Sequence, residues 1–475
     1  MTQTKKIKSF LKNIFIFYYI KKNNLFDAKY YLNKYPLIKK NNLIPLLHYV
    51  KIGFNEGLSP YKNHDQDLLN YVFQILYYKK KAVKALFFKI KLHSETHIDY
   101  EQFRTKKFGI RSYKTRYNKN KEPEILLFFN GYDNKKIFGG QATTLRICVH
   151  LAQKKGFNLK IIDTIPSSPN LNILKKVLNI EFEIDVKSQT YSDIIEFNEK
   201  DLILSNMWYS ANKILNTTAF INNKIFYILQ ELETYFYDHG DTHLICYQTL
   251  SDYRLNTIIN SSLLYNSLIS SEKYKNISSN SMFFEPAFEK TNSVSFSPKS
   301  KYKFFFYGRP THQRNLYYFG MDVLLEAFKR NLFNLDEWEF YMAGDECQQY
   351  TNIGLNLFKN LEVLSWNDYQ EFIKDVDLAY SMIYTPHPSY PPLDTANSGG
   401  ICLTNIYENK KNLNQYSQNI ICADLNLEAM LIGLEKAIEL TKNTNKRAEN
   451  FKNNNILNDW NLELDKIYSY VDSIK

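Results

Sequence analysis

The 475-residue sequence is poor in cysteine, and the 5 it has, Cys148, Cys246, Cys347, Cys402 and Cys422, are scattered and odd in number. Without a CxxC pair they exclude a disulfide framework and a cysteine zinc site, and read as reduced core residues of a cytosolic protein. Long hydrophobic runs are missing too, since no stretch reaches the roughly 18 to 20 apolar residues that span a bilayer. The one leader-like stretch, 14–20 behind Lys5, Lys6, Lys8 and Lys12, is short and aromatic and runs into Lys21 and Lys22. It has no small-residue cleavage site, so secretion is not expected. Neither a GxGxxG nor a Walker lysine occurs, which disfavours nicotinamide and ATP as ligands.

What is present points to a large α/β protein. A chain of this length should hold two or three domains, because a single core rarely grows past about 250 to 300 residues. Aromatics make up 16%, mainly 37 Tyr and 33 Phe, but they accompany many Lys, Asn and Ile, as AT-rich coding would give, and so carry no functional signal. The net charge of +11 implies an anionic partner. Much of the lysine excess lies before residue 122, in KKIKSFLKNIF, YYKKKAVKALFFKIK and YKTRYNKNK, which is an N-terminal patch and argues against a nucleic-acid groove along the body. Residues 71–91 interleave apolar and lysine positions without Gly or Pro. They read either as an amphipathic helix on an anionic membrane or as a packed helix with a solvated lysine face.

Residues 1–118 read as a basic helical region. Apolar runs at 125–129 and 159–162 flank a helical pattern at 141–155, a β-α-β unit, and runs at 202–204, 225–229 and 268–269 continue its sheet. After a polar link the rhythm restarts, with strands expected at 304–307, 339–343, 361–364, 378–382, 401–403 and 420–422 and helices at 321–330, 369–374 and 427–440. The expectation is an α/β chain with two Rossmann-like domains, 122–288 and 300–445, facing one cleft, followed by a helical tail at 446–475.

Four stretches carry candidate chemistry. Gly139, Gly140 and Gln141 stand at a helix start, where exposed N–H groups suit an anion or a sugar hydroxyl, although a mere turn is the plain alternative. Gln230, Glu231 and Glu233 follow a strand and could bind acceptor hydroxyls or help remove a proton; the alternation of the two acids suggests that one of them points inward. Arg309 and Arg314 follow the first strand of the second block, where both could reach one diphosphate. The segment 381–405 carries Pro386, Pro388, Pro391 and Pro392, and reads as a rigid ligand-binding loop. His239 and His243 have metal-ligand spacing without a third ligand, Asp375-Val376-Asp377 reads as a helix-end turn, and His48 as a packed histidine.

GRPTHQRN followed by GMDVLLEAF resembles the GRxxxxKG and DxLIxAF pattern of retaining, family-4-type glycosyltransferases of GT-B fold, with Arg314 in the place of the usual lysine. PSYPPLDTANSGGICLTN resembles the same family's donor loop. GGQATT, LQELETYFYDHGD, YGRPTHQRN and PHPSYPPLDTA together look like the WsaF-type rhamnosyltransferases of bacterial surface glycans, over about residues 122–440. A module within 25–60 resembles one found ahead of bacterial glycosyltransferase domains, and identifies no chemistry.

The resemblance implies a metal-independent hexosyltransferase without a cofactor. It would use a nucleoside diphosphate sugar, the nearest family pointing to dTDP-rhamnose, and would pass the sugar with retention to a glycan or lipid-linked saccharide at the cytoplasmic membrane face. Arg309, Arg314, His387, Ser389, Tyr390 and Asp394 would handle the donor. The family's first acid falls at Pro386 or His387, where no carboxylate exists; His387 either replaces it or packs on a tyrosine, and Asp394 either contacts a hydroxyl or caps a helix. The alternative is a non-catalytic glycan-binding or scaffold protein derived from a transferase.

Overall fold

A computed structural model describes residues 26–36, 44–50, 100–108, 112–129, 139–163, 186–190, 193–289, 294–344 and 346–474. The amphipathic stretch 71–91 lies outside them. The chain divides into two units, Met1–Phe103 and Arg104–Lys475. In the first, Asp27 caps the helix Ala28–Lys34 by accepting from the Tyr30 amide at 2.9 Å. Buried Tyr31 meets His48 Nδ1 through its hydroxyl at 3.1 Å, so His48 is a packing partner there.

The second unit is built on parallel strands: β1 (Thr115–Tyr117), β2 (Glu124–Phe129), β3 (Asn158–Asp163), β4 (Val186–Thr190), β5 (Ile195–Phe197), β6 (Leu202–Ser205), β7 (Lys224–Leu229), β8 (Leu255–Asn260), β9 (Ser281–Phe284), β10 (Tyr302–Tyr307), β11 (Trp338–Ala343), β12 (Phe358–Asn360), β13 (Leu378–Tyr380), β14 (Ile401–Asn405) and β15 (Ile420–Ala423). One sheet runs β4-β3-β2-β6-β7-β8-β9, the other β12-β11-β10-β13-β14-β15, and β1 pairs with β5. A parallel sheet is covered on both faces, so its strands read as continuous apolar runs. β2 shows why: Ile125, Leu127 and Phe129 enter the core beneath the helix Gly139–Lys155, while Leu126 and Phe128 enter the opposite core with Tyr113 and Ile214. In β10, Phe304 and Phe306 face one core and Phe305 the other.

The C-terminal helix Asn461–Ser473 returns to the first sheet, where Leu464, Ile467 and Val471 are buried in the core under Gly139–Lys155. Its approach is fixed upstream by Arg447, whose guanidinium donates to fully buried Asp377 at 3.0 Å; Lys299 reaches the same carboxylate at 2.9 Å. Asp377 is therefore an anchor of the fold as well as part of a turn.

Three expectations about elements are corrected. Residues 268–269 lie in the helix Ser262–Ser270, because Ser261 caps Leu264 and the spacing of Leu263, Leu264 and Leu268 buries one helical face. The strand expected at 361–364 is displaced to β12, since Glu362 takes a φ of 55° that turns the chain. The proline-rich segment is not loop throughout: Tyr390–Asn397 is a helix whose first turn carries Pro391 and Pro392, where a missing N–H is no loss.

Candidate active site at the cleft

The carboxyl ends of β7, β8, β10 and β13 meet between the two sheets. β10 runs into Gly308–Asn315, which ends in the short turn Gln313–Asn315. Arg314 is fixed from both ends. Its carbonyl accepts from the Tyr384 amide at 2.7 Å, and its guanidinium lies 4.0 Å from the centroid of the Phe236 ring across the cleft. Its Nε is buried and makes no hydrogen bond, leaving a desolvated donor in the cleft. Burial, followed by the charge of Arg309, pulls its pKa down, while Glu231 pulls it up. Arg309 donates to His312 Nε2 at 2.8 Å.

After β13, residues 381–389 run buried except at Tyr384. His387 Nδ1 accepts from the Ser389 amide at 2.9 Å, which places the ring proton on Nε2; that atom is buried and without a hydrogen bond. Burial, then Lys410 and Arg314, pull the His387 pKa down to about 3, so the ring is neutral at ordinary pH and its Nε2–H is a donor without a partner. It also stands edge-on to Tyr390, 6.1 Å between ring centroids, as the packing alternative expects.

Ser389 adopts a φ of 68°, a left-handed conformation uncommon for a side-chain-bearing residue, and so aims the next residue across the cleft. Tyr390 meets Thr143 Oγ1 through its hydroxyl at 2.9 Å, and accepts from Asn260 Nδ2 at 2.9 Å. Its ring covers Gly139, where an added Cβ would lie 2.2 Å from a ring carbon. Gly139 thus makes room for a side chain of the other domain. Gly140 and Gln141 complete the first helical turn, with the Gly140 carbonyl accepting from Thr144 Oγ1 at 2.9 Å. Gln230 Oε1 accepts from Asn260 at 2.8 Å, and its buried Nε2 has no hydrogen bond.

The two acids after β7 diverge. Glu231 turns towards the second domain, where Thr385 Oγ1 donates to it at 3.0 Å, while its other oxygen accepts from the Leu232 amide at 3.0 Å. Burial raises its pKa and the charges of Arg314 and Lys410 oppose the rise. Glu233 turns into the first domain, accepting from the Trp208 amide at 2.9 Å and from the Tyr227 hydroxyl. Burial pushes its pKa up to about 7.

Asp394 lies within the helix Tyr390–Asn397, beyond its start, so the helix-capping alternative falls. It accepts from the Tyr369 hydroxyl at 3.2 Å, and burial raises its pKa to about 7. His243 uses both ring nitrogens, Nδ1 donating to the Thr234 carbonyl at 3.0 Å and Nε2 accepting from Lys273 at 3.2 Å. Sequence reasoning missed Asn260, Thr143, Thr385 and above all Lys410, which is fully buried, donates to the His387 carbonyl at 3.4 Å and lies in a polar run that reads as solvated surface.

Two parallel α/β sheets facing a cleft, with a C-terminal helix returning to the first, form the GT-B fold. Residues 302–435 match the family described as WsaF, C-terminal domain. Over 272 residues, 56% of the chain, the sequence is 26% identical to the O-antigen biosynthesis protein RfbC of Myxococcus xanthus, and the match spans 20% of that protein. Among solved structures, Alr3699/HepE of Anabaena in complex with UDP and glucose superposes with a TM-score of 0.55 at 14% identity, covering 74% of this chain and 100% of that one. Sucrose-phosphate synthase of Thermosynechococcus elongatus gives 0.54 at 10% identity, covering 74% and 99%.

Proposed function

We propose that the protein transfers a sugar from a nucleoside diphosphate sugar to a saccharide or lipid-linked acceptor in bacterial surface glycan synthesis. The observation that carries this reading is the Arg309–Arg314 pair at the carboxyl end of β10, with a buried, unmatched Arg314 Nε in the cleft of a GT-B fold. Cleaving the anomeric C–O bond places negative charge on the departing diphosphate. Two guanidinium groups beside it would stabilise that charge, so that the reaction calls for no metal. His387 Nε2–H would supply a further neutral donor where the resembling family has an acid, and Ser389 and Tyr390 would shape the same wall.

Glu231 balances part of the charge of Arg314 in this reading. Asp394 would reach a ribose or sugar hydroxyl from the Tyr369 side. Retention, a dTDP-rhamnose donor, and docking of the basic N-terminal region on the inner membrane face are the finer parts of the proposal. The names of the relatives support the coarser part: RfbC is an O-antigen biosynthesis protein, and the HepE structure is in complex with UDP and glucose.

Replacing Arg314 with Ala should lower transfer by roughly 100- to 1,000-fold with the melting midpoint near that of the unaltered protein, measured with a panel of nucleotide sugars. Near-normal turnover would overturn the reading. The lack of a carboxylate at His387 favours a non-catalytic glycan-binding descendant as the second reading, and calorimetry showing no nucleotide-sugar binding would select it.

A further inference from the structure

One tight turn of the second domain, Tyr407–Lys410, spends every residue on the other domain or on the site. Its ends are tied together, Tyr407 N to Lys410 O at 3.1 Å and Lys410 N to Tyr407 O at 2.8 Å. The Tyr407 ring stands edge-on to Tyr235 of the first domain, with centroids 6.1 Å apart. Glu408 accepts from the Tyr235 hydroxyl at 3.3 Å and from Ser267 at 3.0 Å. Asn409 donates to the Leu263 carbonyl at 2.9 Å. With three residues grasping the first domain, the fourth is carried inward. Lys410 is 0% exposed, and its only described side-chain hydrogen bond goes to the His387 carbonyl.

An ammonium buried to this degree is costly unless a countercharge faces it. The carboxylate whose charge acts on it is Glu231, which belongs to the first domain and accepts from Thr385 of the second. The charged groups that act on Glu231 are Arg314 and Lys410 from the second domain and Glu233 from its own strand end; His387 on the same wall is neutral.

We propose that the Tyr407–Lys410 turn is a latch that couples domain closure to the site: docking it on the first domain carries Lys410 to the His387 carbonyl and brings the charges of Lys410 and Arg314 to bear on Glu231, which Thr385 holds by a hydrogen bond. Lys410 is then a positioning residue, acting on Arg314 through Glu231. Only the catalytic consequence of the latch rests on the transferase reading.

A thermal double-variant cycle on the full chain without ligand tests the latch. Lys410→Met and Glu231→Gln should each lower the melting midpoint by roughly 5 °C, since each removes a countercharge from a buried group, and the double variant should lose clearly less than the sum. Additive losses would overturn the proposal. Should Lys410→Met fail to fold, Asn409→Ala, which loosens the turn that carries Lys410 inward, takes its place in the cycle, with the same two outcomes. For the consequence, the exposed variant Glu408→Gln should lower kcat about 5- to 10-fold, with the donor KM within about two-fold and the melting midpoint unchanged; unchanged kcat would count against coupling. If the unaltered protein turns over no nucleotide sugar, the transferase reading fails, while the melting cycle still decides the latch.

Discussion

The two strand-end surfaces that face each other in the cleft differ in charge. The second domain presents Arg309 and Arg314 with a neutral His387, backed by buried Lys410, whereas the first presents Gln230 and Asn260 amides, the Thr143 hydroxyl and an acid, Glu231. Cations gathered on one wall suit a phosphorylated ligand, and amides, each donor and acceptor at once, suit hydroxyls. The difference assigns the donor to the second wall and an uncharged acceptor to the first in the reading proposed above.

The sharpest way to break that assignment is to remove both arginines. Arg309→Ala with Arg314→Ala should abolish nucleotide-sugar binding by calorimetry and lower transfer by more than about 1,000-fold, with the fold retained by circular dichroism. Next in size is Gly139→Val. A side chain there meets the Tyr390 ring, so the walls cannot approach, and transfer should fall by about 100-fold while donor binding in the second domain persists. Asn260→Ala removes the amide that joins Gln230 to Tyr390; it should raise the acceptor KM by about 10-fold and leave donor affinity unchanged, and the reverse result would swap the two walls.

The smallest expected effect concerns pH. Asp394 has a folded-state pKa raised from 3.8 to about 7, so it contributes stability below its unfolded pKa that is lost as pH rises towards about 7. The melting midpoint should decline across that interval, and Asp394→Asn should flatten the decline. Glu233, raised from 4.5 to about 7, adds a slope of the same sign that the Asp394 variant leaves in place.

Much of the sheet framework was legible, because parallel strands buried on both faces leave apolar runs such as those of β2 and β10. Positions set by a neighbour in space were not. Residues 268–269 look like a strand until the Ser261 cap and the helical spacing before them are weighed. Gly139 resembles a phosphate-binding glycine, yet the space it leaves is filled by Tyr390 in this structure, a partner 251 positions later in the numbering. Arg309, Arg314 and Glu231 stood out as charges at strand ends. Lys410 did not, since YENKKN carries no periodicity that would announce burial, and its environment exists only once the turn has docked.

The returning helix has a bearing on biosynthesis. Lys155 pairs with Asp472 across 317 positions of chain, and Leu464, Ile467 and Val471 complete the core beneath the helix that Lys155 ends. On the ribosome the first domain therefore waits, its apolar strip uncovered, until the whole of the second has emerged. Premature termination anywhere in the second domain should yield an aggregating fragment rather than a working first half.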